Sequence, residues 1–168
     1  MTRRRALLAG AAILVAALVV VRLVVAEPFR IPSDSMKPTI RSGDHVLVDK
    51  LAYDSAAPQR GDLAVFRAPG TNEIMLKRVV AISGDTVGIE DGVLVVDGRR
   101  PREPYADARA IDSVYFGPVR VRPGTVFVLG DNRADSRDSR DFGAIREDAL
   151  IGRVDARIWP PSRWGSPK

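Results

Sequence analysis

The sequence has 168 residues, of which 45% are hydrophobic, with 26 basic and 21 acidic residues, one histidine and no cysteine. The absence of cysteine excludes a thiol nucleophile, a disulfide framework and cysteine-ligated zinc. A single histidine, His45, excludes a multi-histidine metal site within this chain, so we expect neither a metal nor another cofactor. The length suits one domain with a single core.

The positive charge is concentrated at the N-terminus. Residues 1–26 contain four arginines and no acidic residue, so residues 27–168 are close to neutral. A nucleic-acid-binding domain usually carries a basic face, and a basic N-terminal flank does not provide one. Nucleic-acid binding is therefore not expected.

Residues 6–26 form an apolar segment interrupted only by Arg22. A helix of this length spans roughly 31 Å, close to the thickness of a bilayer's hydrocarbon core. We therefore predict a single transmembrane anchor at 6–26 behind a cytoplasmic tail at 1–5, because preceding arginines favour a cytoplasmic N-terminus. The alternative is a secretory signal cleaved after Ala26, but this apolar run exceeds the roughly 7–15 residues usual in such signals. Either interpretation exports residues 27–168.

From residue 27 onward, short apolar runs alternate with turn residues, and no amphipathic stretch has a convincing helical length. This pattern predicts a mainly β domain over 27–168. Asp91-Gly92 and Asp97-Gly98 are typical of tight turns, and the first of them predicts a type I′ hairpin. The predicted strands cover 45–51, 62–67, 74–82, 86–90, 93–97, 125–129 and 151–159.

Three other segments lack the strand pattern. Residues 99–123 are rich in proline and arginine, which predicts a long loop or a small cap within an insert at about 88–122. Residues 130–143 crowd together glycine, aspartate, asparagine, serine and arginine, a composition that predicts a loop. The tail at 160–168 is expected to fray.

Ser35 is a candidate nucleophile. It lies between Pro32 and Pro38, and these prolines restrict the backbone on both sides. A fixed backbone can hold a nucleophile in place, although a serine in such a segment is also typical of an ordinary turn. A partner residue is needed to decide between the two interpretations.

Lys77 is the candidate partner. The chain has 22 arginines and only four lysines, and Lys77 lies in the most apolar predicted strand, EIMLKRVVAI. Burial lowers the pKa of a lysine, whereas arginine stays charged, and only a neutral amine can take a proton from serine. The alternation of the strand is equally compatible with a lysine that points to solvent. A Ser/His/Asp triad would have to use His45, which has no distinctive local context.

Five segments together resemble the type I signal peptidases, membrane-anchored serine proteases that cut signal peptides from exported preproteins with a Ser–Lys dyad. They occur in the family's order and span most of the chain. The segments are PSDSMKPT at 32–39, SGDHVLVDK at 42–50, RGDLAVF at 60–66, LKRVVAISGD at 76–85 and GDNRADSRDSRDFG at 130–143.

The resemblance implies a role for each matching residue. Ser35 would be the nucleophile and Lys77 the general base that activates Ser35 and later the deacylating water. Ser33 would supply a side-chain oxyanion donor beside the backbone N–H of Ser35. Ser136 would orient the lysine amine. Two ion pairs would brace the site, formed by Asp138 with Arg140 and by Asp131 with Arg78.

The resemblance also implies a substrate site that is apolar and shallow. Such pockets accept alanine at P1 and small aliphatic residues at P3, because larger side chains would clash. The expected specificity is therefore cleavage after Ala-X-Ala. The implied S1 pocket is formed by Ile31, Pro32, Met36, Ile40, Met75 and Leu76, and the implied S3 pocket by Phe29, Ile31 and Leu76.

The family's fold is built from antiparallel β-sheets. The resemblance also implies that this chain is a single-pass protein of the bacterial cell membrane, with its catalytic domain on the extracytoplasmic side. The implied partners are the signal peptides of exported preproteins and the lipid bilayer, and the oligomeric state is not predicted. Two alternatives are a self-cleaving Ser–Lys regulator, which would not need residues 6–26, and a non-catalytic exported β-module, which gives no reason for Lys77.

Overall fold

A computed structural model describes residues 8, 10–15, 19, 25–106 and 115–167. Residues 8, 10–15 and 19 are helical, but the predicted tail at 1–5 and most of the predicted anchor at 6–26 lie outside the described residues. Within the described ranges, no helix is long and apolar enough to cross a membrane.

The described chain is mainly β, as predicted. Short helices interrupt the strands, with α1 at Ala52–Ser55, α2 at Ser139–Phe142 and 3-10 turns at Glu147–Ala149 and Pro161–Arg163. The strands are β1 Ala26–Arg30, β2 His45–Asp49, β3 Leu63–Arg67, β4 Ile74–Ala81, β5 Thr86–Glu90, β6 Val93–Val96, β7 Tyr115–Arg120, β8 Thr125–Leu129, β9 Ile145–Arg146 and β10 Leu150–Trp159.

The strands form two sheets, and every pair of neighbouring strands is antiparallel. The larger sheet has seven strands in the order β1-β2-β10-β3-β4-β8-β9. The smaller sheet has three strands in the order β6-β5-β7. The antiparallel architecture implied by the resemblance is therefore confirmed.

All seven predicted strands are present, with bounds that shift by at most two residues. Asp91 and Gly92 have φ values of 51° and 73°, as the predicted type I′ turn requires. Three strands were not predicted: β1, β7 and β9. Residues 99–123, predicted as a long loop or a small cap, are not a loop throughout, because YFGPVR in β7 pairs with β5 despite Gly117 and Pro118. An edge strand tolerates proline because one side of its backbone needs no partner.

The central strands of the larger sheet are apolar on both faces. Leu63 and Val65 of β3 pack with Met36 and Ile40 from the loop after β1. Ala64 and Phe66, which alternate with them, join a second cluster on the opposite face. A third cluster joins β4 and β8 to the smaller sheet through residues that include Phe127, Leu129, Val87 and Leu94. The core therefore fixes the loop after β1 against the sheet.

Two other predictions need correction. The predicted loop at 130–143 contains the one-turn helix α2, which begins with a capping box formed by Asp138 and Asp141. The tail is not frayed over 160–167, because Arg157 and Gly165 exchange backbone hydrogen bonds of 2.8 and 3.1 Å. Arg163 also forms an ion pair with the buried Asp44.

Candidate active site

Ser35 lies in the loop between β1 and β2, and apolar residues of this loop pack into the core. Met36, the next residue, is 1% exposed, and Ile40 is completely buried in the same cluster. The backbone N–H of Lys37 donates to the carbonyl of Asp34 (3.0 Å), so the chain turns at Ser35. The Ser33 hydroxyl lies 3.3 Å from Ser35 Oγ. A rigid turn therefore presents both hydroxyls together.

Lys77 reaches this turn from β4. Its Nζ lies 2.6 Å from Ser35 Oγ, and the residue is only 3% exposed, so the side chain points inward. Burial lowers the pKa of Lys77 from 10.5 to about 8, and the charge of Asp138 opposes that shift. At pH 7, roughly one amine in ten is then neutral, against roughly one in 3,000 at the ordinary pKa.

The segment after β8 binds the Ser35 turn from the other side. The backbone N–H of Asn132 donates to the Ser35 carbonyl (3.0 Å), and the Asn132 side-chain amide donates to the Asp34 carbonyl (3.3 Å). The approach is so close that a Cβ at Gly130 would lie 2.1 Å from Ser136 Oγ and 2.6 Å from the Ser35 carbonyl oxygen. Only glycine fits there, a requirement that the sequence reasoning missed.

Asp138 is a fully buried carboxylate with several donors. It accepts the Gly130 N–H (3.0 Å) and pairs with Arg140 through Nε (2.9 Å) and Nη2 (3.0 Å), so the predicted Asp138–Arg140 ion pair is present. The Ser136 hydroxyl donates to Asp138 Oδ2 (2.9 Å) rather than to the lysine amine. The resemblance implies that Ser136 orients the lysine amine, and the contact seen is with Asp138, whose charge acts on Lys77.

The second predicted ion pair is also present, between Arg78 and Asp131. Arg78 Nε donates to Asp131 Oδ1 (2.8 Å) and Nη2 donates to Oδ2 (2.7 Å), a bidentate geometry, and both side chains are buried. The hydroxyl of Thr39 donates to the same carboxylate (2.6 Å). Thr39 was not predicted, and it ties this pair to the loop that carries Ser35.

A cleft of about 200 Å³ opens beside the two reactive side chains. It lies between β1 with its following loop on one side and the start of β4 on the other. Ile40, also predicted to line the substrate site, is completely buried in the core cluster that contains Met36. Lining residues that were predicted are Phe29, Ile31, Pro32, Met36, Met75 and Leu76, and those that were missed are Arg30, Val65, Glu73 and Ile74.

His45 lies at the start of β2, opposite Arg30 of β1 and Trp159 of β10. Its Nδ1 is buried and has no hydrogen-bond partner among residues 25–106 and 115–167. The hydroxyl of Ser35 instead lies against the amine of Lys77 and the hydroxyl of Ser33. This geometry does not support the alternative Ser/His/Asp triad.

Comparisons with known proteins agree with the five matching segments. The family model for signal peptidase, peptidase S26, matches residues 3–159. A probable signal peptidase I-1 from Synechocystis sp. is 39% identical over 154 residues, which cover 86% of this chain and 76% of that protein. A signal peptidase I from Bacillus caldolyticus is 38% identical over 151 residues, with 83% and 82% covered. The crystal structure of a signal peptidase I from Enterococcus faecalis V583 has a TM-score of 0.52 and 29% identity, and the match covers 58% of this chain and 97% of that one.

Proposed function

The chain belongs to the signal peptidase family, peptidase S26, and is a serine endopeptidase, and we propose that it removes N-terminal signal peptides from exported preproteins by a Ser–Lys mechanism. The observation that carries the proposal is the 2.6 Å contact between Ser35 Oγ and the buried amine of Lys77. Relatives named signal peptidase I support the substrate class.

In the acylation step, the neutral amine of Lys77 takes the proton of the Ser35 hydroxyl while Ser35 Oγ attacks the scissile carbonyl carbon. The C–N bond of the substrate breaks, and the ammonium of Lys77 returns the proton to the leaving amine. The product bound to the enzyme is an ester on Ser35. Lys77 then takes a proton from water as the water oxygen attacks the ester carbon. The ester C–O bond breaks, the Lys77 ammonium returns the proton to Ser35 Oγ, and the signal peptide leaves with a free carboxyl group.

The oxyanion that forms in each tetrahedral intermediate needs donors. The backbone N–H of Ser35 and the hydroxyl of Ser33 would supply them, because Ser33 Oγ lies 3.3 Å from the nucleophilic oxygen. Donors of this kind act on charge that develops only in the transition state, and loss of one typically costs about 10²–10³ in rate.

The ion pairs and Ser136 would act by position. Asp138 accepts hydrogen bonds from the Ser136 hydroxyl, the Gly130 N–H and Arg140. It therefore fixes the segment that packs against the Ser35 turn. Asp131 and Arg78 would fix the same segment to β4, in which Arg78 directly follows Lys77. A misplacement of about 1 Å can cost about 10² in rate, so rigid support of the dyad has catalytic value.

The cleft supports cleavage after Ala-X-Ala. Its volume of about 200 Å³ and its apolar walls suit small aliphatic side chains. We assign S1 to Ile31, Pro32, Met36, Met75 and Leu76, and S3 to Phe29, Ile31 and Leu76.

We also propose that the chain is a single-pass protein of the bacterial cell membrane. Residues 1–5 would be cytoplasmic, residues 6–26 the anchor, and residues 27–168 the extracytoplasmic catalytic domain with its insert at about 88–122. This arrangement would place the cleft where exported preproteins emerge from the bilayer, so the bilayer and the signal peptide would both be partners.

The test is cleavage of a peptide with one Ala-X-Ala site by the full chain in detergent, with the cut position read by mass spectrometry. Ser35→Ala and Lys77→Arg should each lower kcat by about 10³-fold or more, because each removes one half of the dyad. Lys77→Arg keeps the positive charge but cannot act as a base. Lys50→Arg, the same exchange at the residue that directly follows β2, is the matched control and should cut normally.

Wild-type cleavage after the second alanine, lost in both dyad variants, supports the proposal. Cleavage by either dyad variant at the wild-type rate contradicts the mechanism. Cleavage at other positions in the peptide contradicts the specificity but leaves the dyad intact.

A further inference from the structure

One short segment of the insert, Glu103-Pro104-Tyr105, contacts two arginines of the active site, Arg133 and Arg78. Arg133 Nη1 donates to Glu103 Oε2 (3.0 Å), and Nη2 donates to Glu103 Oε1, so the pair is bidentate. The two side chains are 9% and 11% exposed. Nothing in the local sequence pattern had predicted a role for Glu103, Tyr105 or Arg133.

Arg133 connects this ion pair to residues 130–140, the supporting loop, which packs against the Ser35 turn. Its Nε donates to the Gly130 carbonyl (2.9 Å), and its own backbone carbonyl accepts a hydrogen bond from Arg140 Nη2 (2.8 Å). Gly130 lies against the Ser35 turn, where a Cβ would be 2.6 Å from the Ser35 carbonyl oxygen, and Arg140 pairs with Asp138. Glu103 therefore fixes Arg133, whose guanidinium contacts Gly130 and whose backbone carbonyl contacts Arg140.

Tyr105 makes the second connection. Its hydroxyl donates to Glu103 Oε1 (3.1 Å), and the Arg78 guanidinium carbon lies 3.8 Å from the centre of its ring. This distance is typical of a cation–π contact. Arg78 is the partner of Asp131 and the chain neighbour of Lys77, so Tyr105 covers the second ion pair of the site.

The charges explain why these contacts matter. Three arginines around the site, Arg78, Arg133 and Arg140, have largely buried guanidinium groups. Asp131 and Asp138 neutralise two of them, and Glu103 neutralises the third. Without Glu103, Arg133 would be a buried charge with no carboxylate partner among residues 25–106 and 115–167, which is unfavourable enough to move it and the loop attached to it.

We propose that Glu103 and Tyr105 are positioning residues for catalysis, which hold Arg133 and Arg78 and through them the loop that supports Ser35 and Lys77. The proposal deepens the proposed function and rests on it. Neither residue lines the cleft or contacts the dyad. Their loss should therefore lower kcat and leave KM nearly unchanged.

The test combines kinetics in detergent with amide hydrogen exchange of residues 130–140 in the full chain. Glu103→Gln keeps the shape and removes the charge, and it should lower kcat about tenfold, change KM less than twofold and speed exchange in this loop. Arg133→Gln should do the same. The double variant should lose no more than the worse single one, because residues that act through one another are not additive.

Tyr105 offers a matched pair of variants. Tyr105→Phe keeps the ring over Arg78 and should retain most of the kcat, whereas Tyr105→Leu should lower it several-fold with faster exchange in the same loop. This pair decides the matter if Glu103→Gln does not fold. Asp155→Asn removes the partner of Arg153 from a more exposed ion pair on β10 and serves as the control.

Wild-type kcat and wild-type loop exchange in both Glu103→Gln and Tyr105→Leu would overturn the proposal. Multiplicative losses in the double variant would also overturn it, as would a change in KM alone. Hydrogen exchange does not depend on which serine is the nucleophile, so a failure of the proposed dyad in Ser35→Ala would be distinguishable from a failure of the positioning role.

Discussion

The active site buries one lysine and two arginines, and these two kinds of cation have different hydrogen-bond partners. Lys77 is 3% exposed and has Ser35 Oγ, a neutral hydroxyl, as its hydrogen-bond partner. Arg78 and Arg140 are similarly buried, and each is bidentate on a fully buried carboxylate. No carboxylate within the described ranges forms an ion pair with Lys77, whereas both arginines have one.

The difference explains how one small site can hold both a base and rigid supports. Burial without a counter-ion lowers the pKa of Lys77 to about 8, which makes a neutral amine available. Arginine keeps its charge at any working pH, so a buried guanidinium requires a carboxylate, and the resulting pair holds the loops together. Charged Lys77 therefore destabilises the folded state. The two ion pairs, which support the loops, stabilise it only when both the arginine and the aspartate of each pair are present.

The largest effect on stability is expected from breaking a support. Asp131→Asn leaves Arg78 buried without a counter-charge, so we expect the free energy of unfolding to fall by about 3–5 kcal/mol. Chemical denaturation of the full chain in detergent, followed by tryptophan fluorescence, measures this. Asp148→Asn breaks an exposed pair with Arg146 and should cause no measurable change. An Asp131→Asn variant as stable as wild type would show that the pair is not a support.

A smaller effect of opposite sign is expected from removing the base. Lys77→Met should raise the free energy of unfolding at pH 7 by about 3 kcal/mol, because the lowered pKa means that charged Lys77 destabilises the folded state. The full destabilisation by charged Lys77 is present below about pH 8, where Lys77 is protonated in both the folded and the unfolded state. It declines between pH 8 and 10.5 as the folded state loses its proton first, and it is absent above that range. A stability difference that does not change with pH would contradict this origin.

Much of the β architecture could be predicted from local pattern. Residues 86–90 and 125–129 are apolar runs bounded by turn residues, and both strands have the predicted bounds. The pattern failed for β1, which continues directly from an apolar segment and contains Pro28, and for β7, which contains a glycine, a proline and an arginine. Both are edge strands, where pairing tolerates residues that weaken the sequence signal.

The site residues could be predicted where they lie in sequence segments that resemble those of the family. Ser35 and Lys77 are 42 residues apart in sequence, and periodicity alone did not say which way the lysine pointed. The turn after Ser35 has no simple alternation, so the sequence could not separate the cleft-lining Met36 from Ile40, which packs in the core beside it. Glu103 and Tyr105 were missed because their role depends on where the insert packs, and no local pattern encodes that contact.

The most direct test of the central claim is the pKa of Lys77 itself, measured by NMR on the full chain in detergent with lysine labelled at Cε. The chain has only four lysines, and Lys77→Met assigns the signal by its absence. One lysine signal should titrate near pH 8, and this signal should be missing from the variant. A wild-type spectrum in which no lysine signal titrates near pH 8 would contradict the claim that burial makes Lys77 a base.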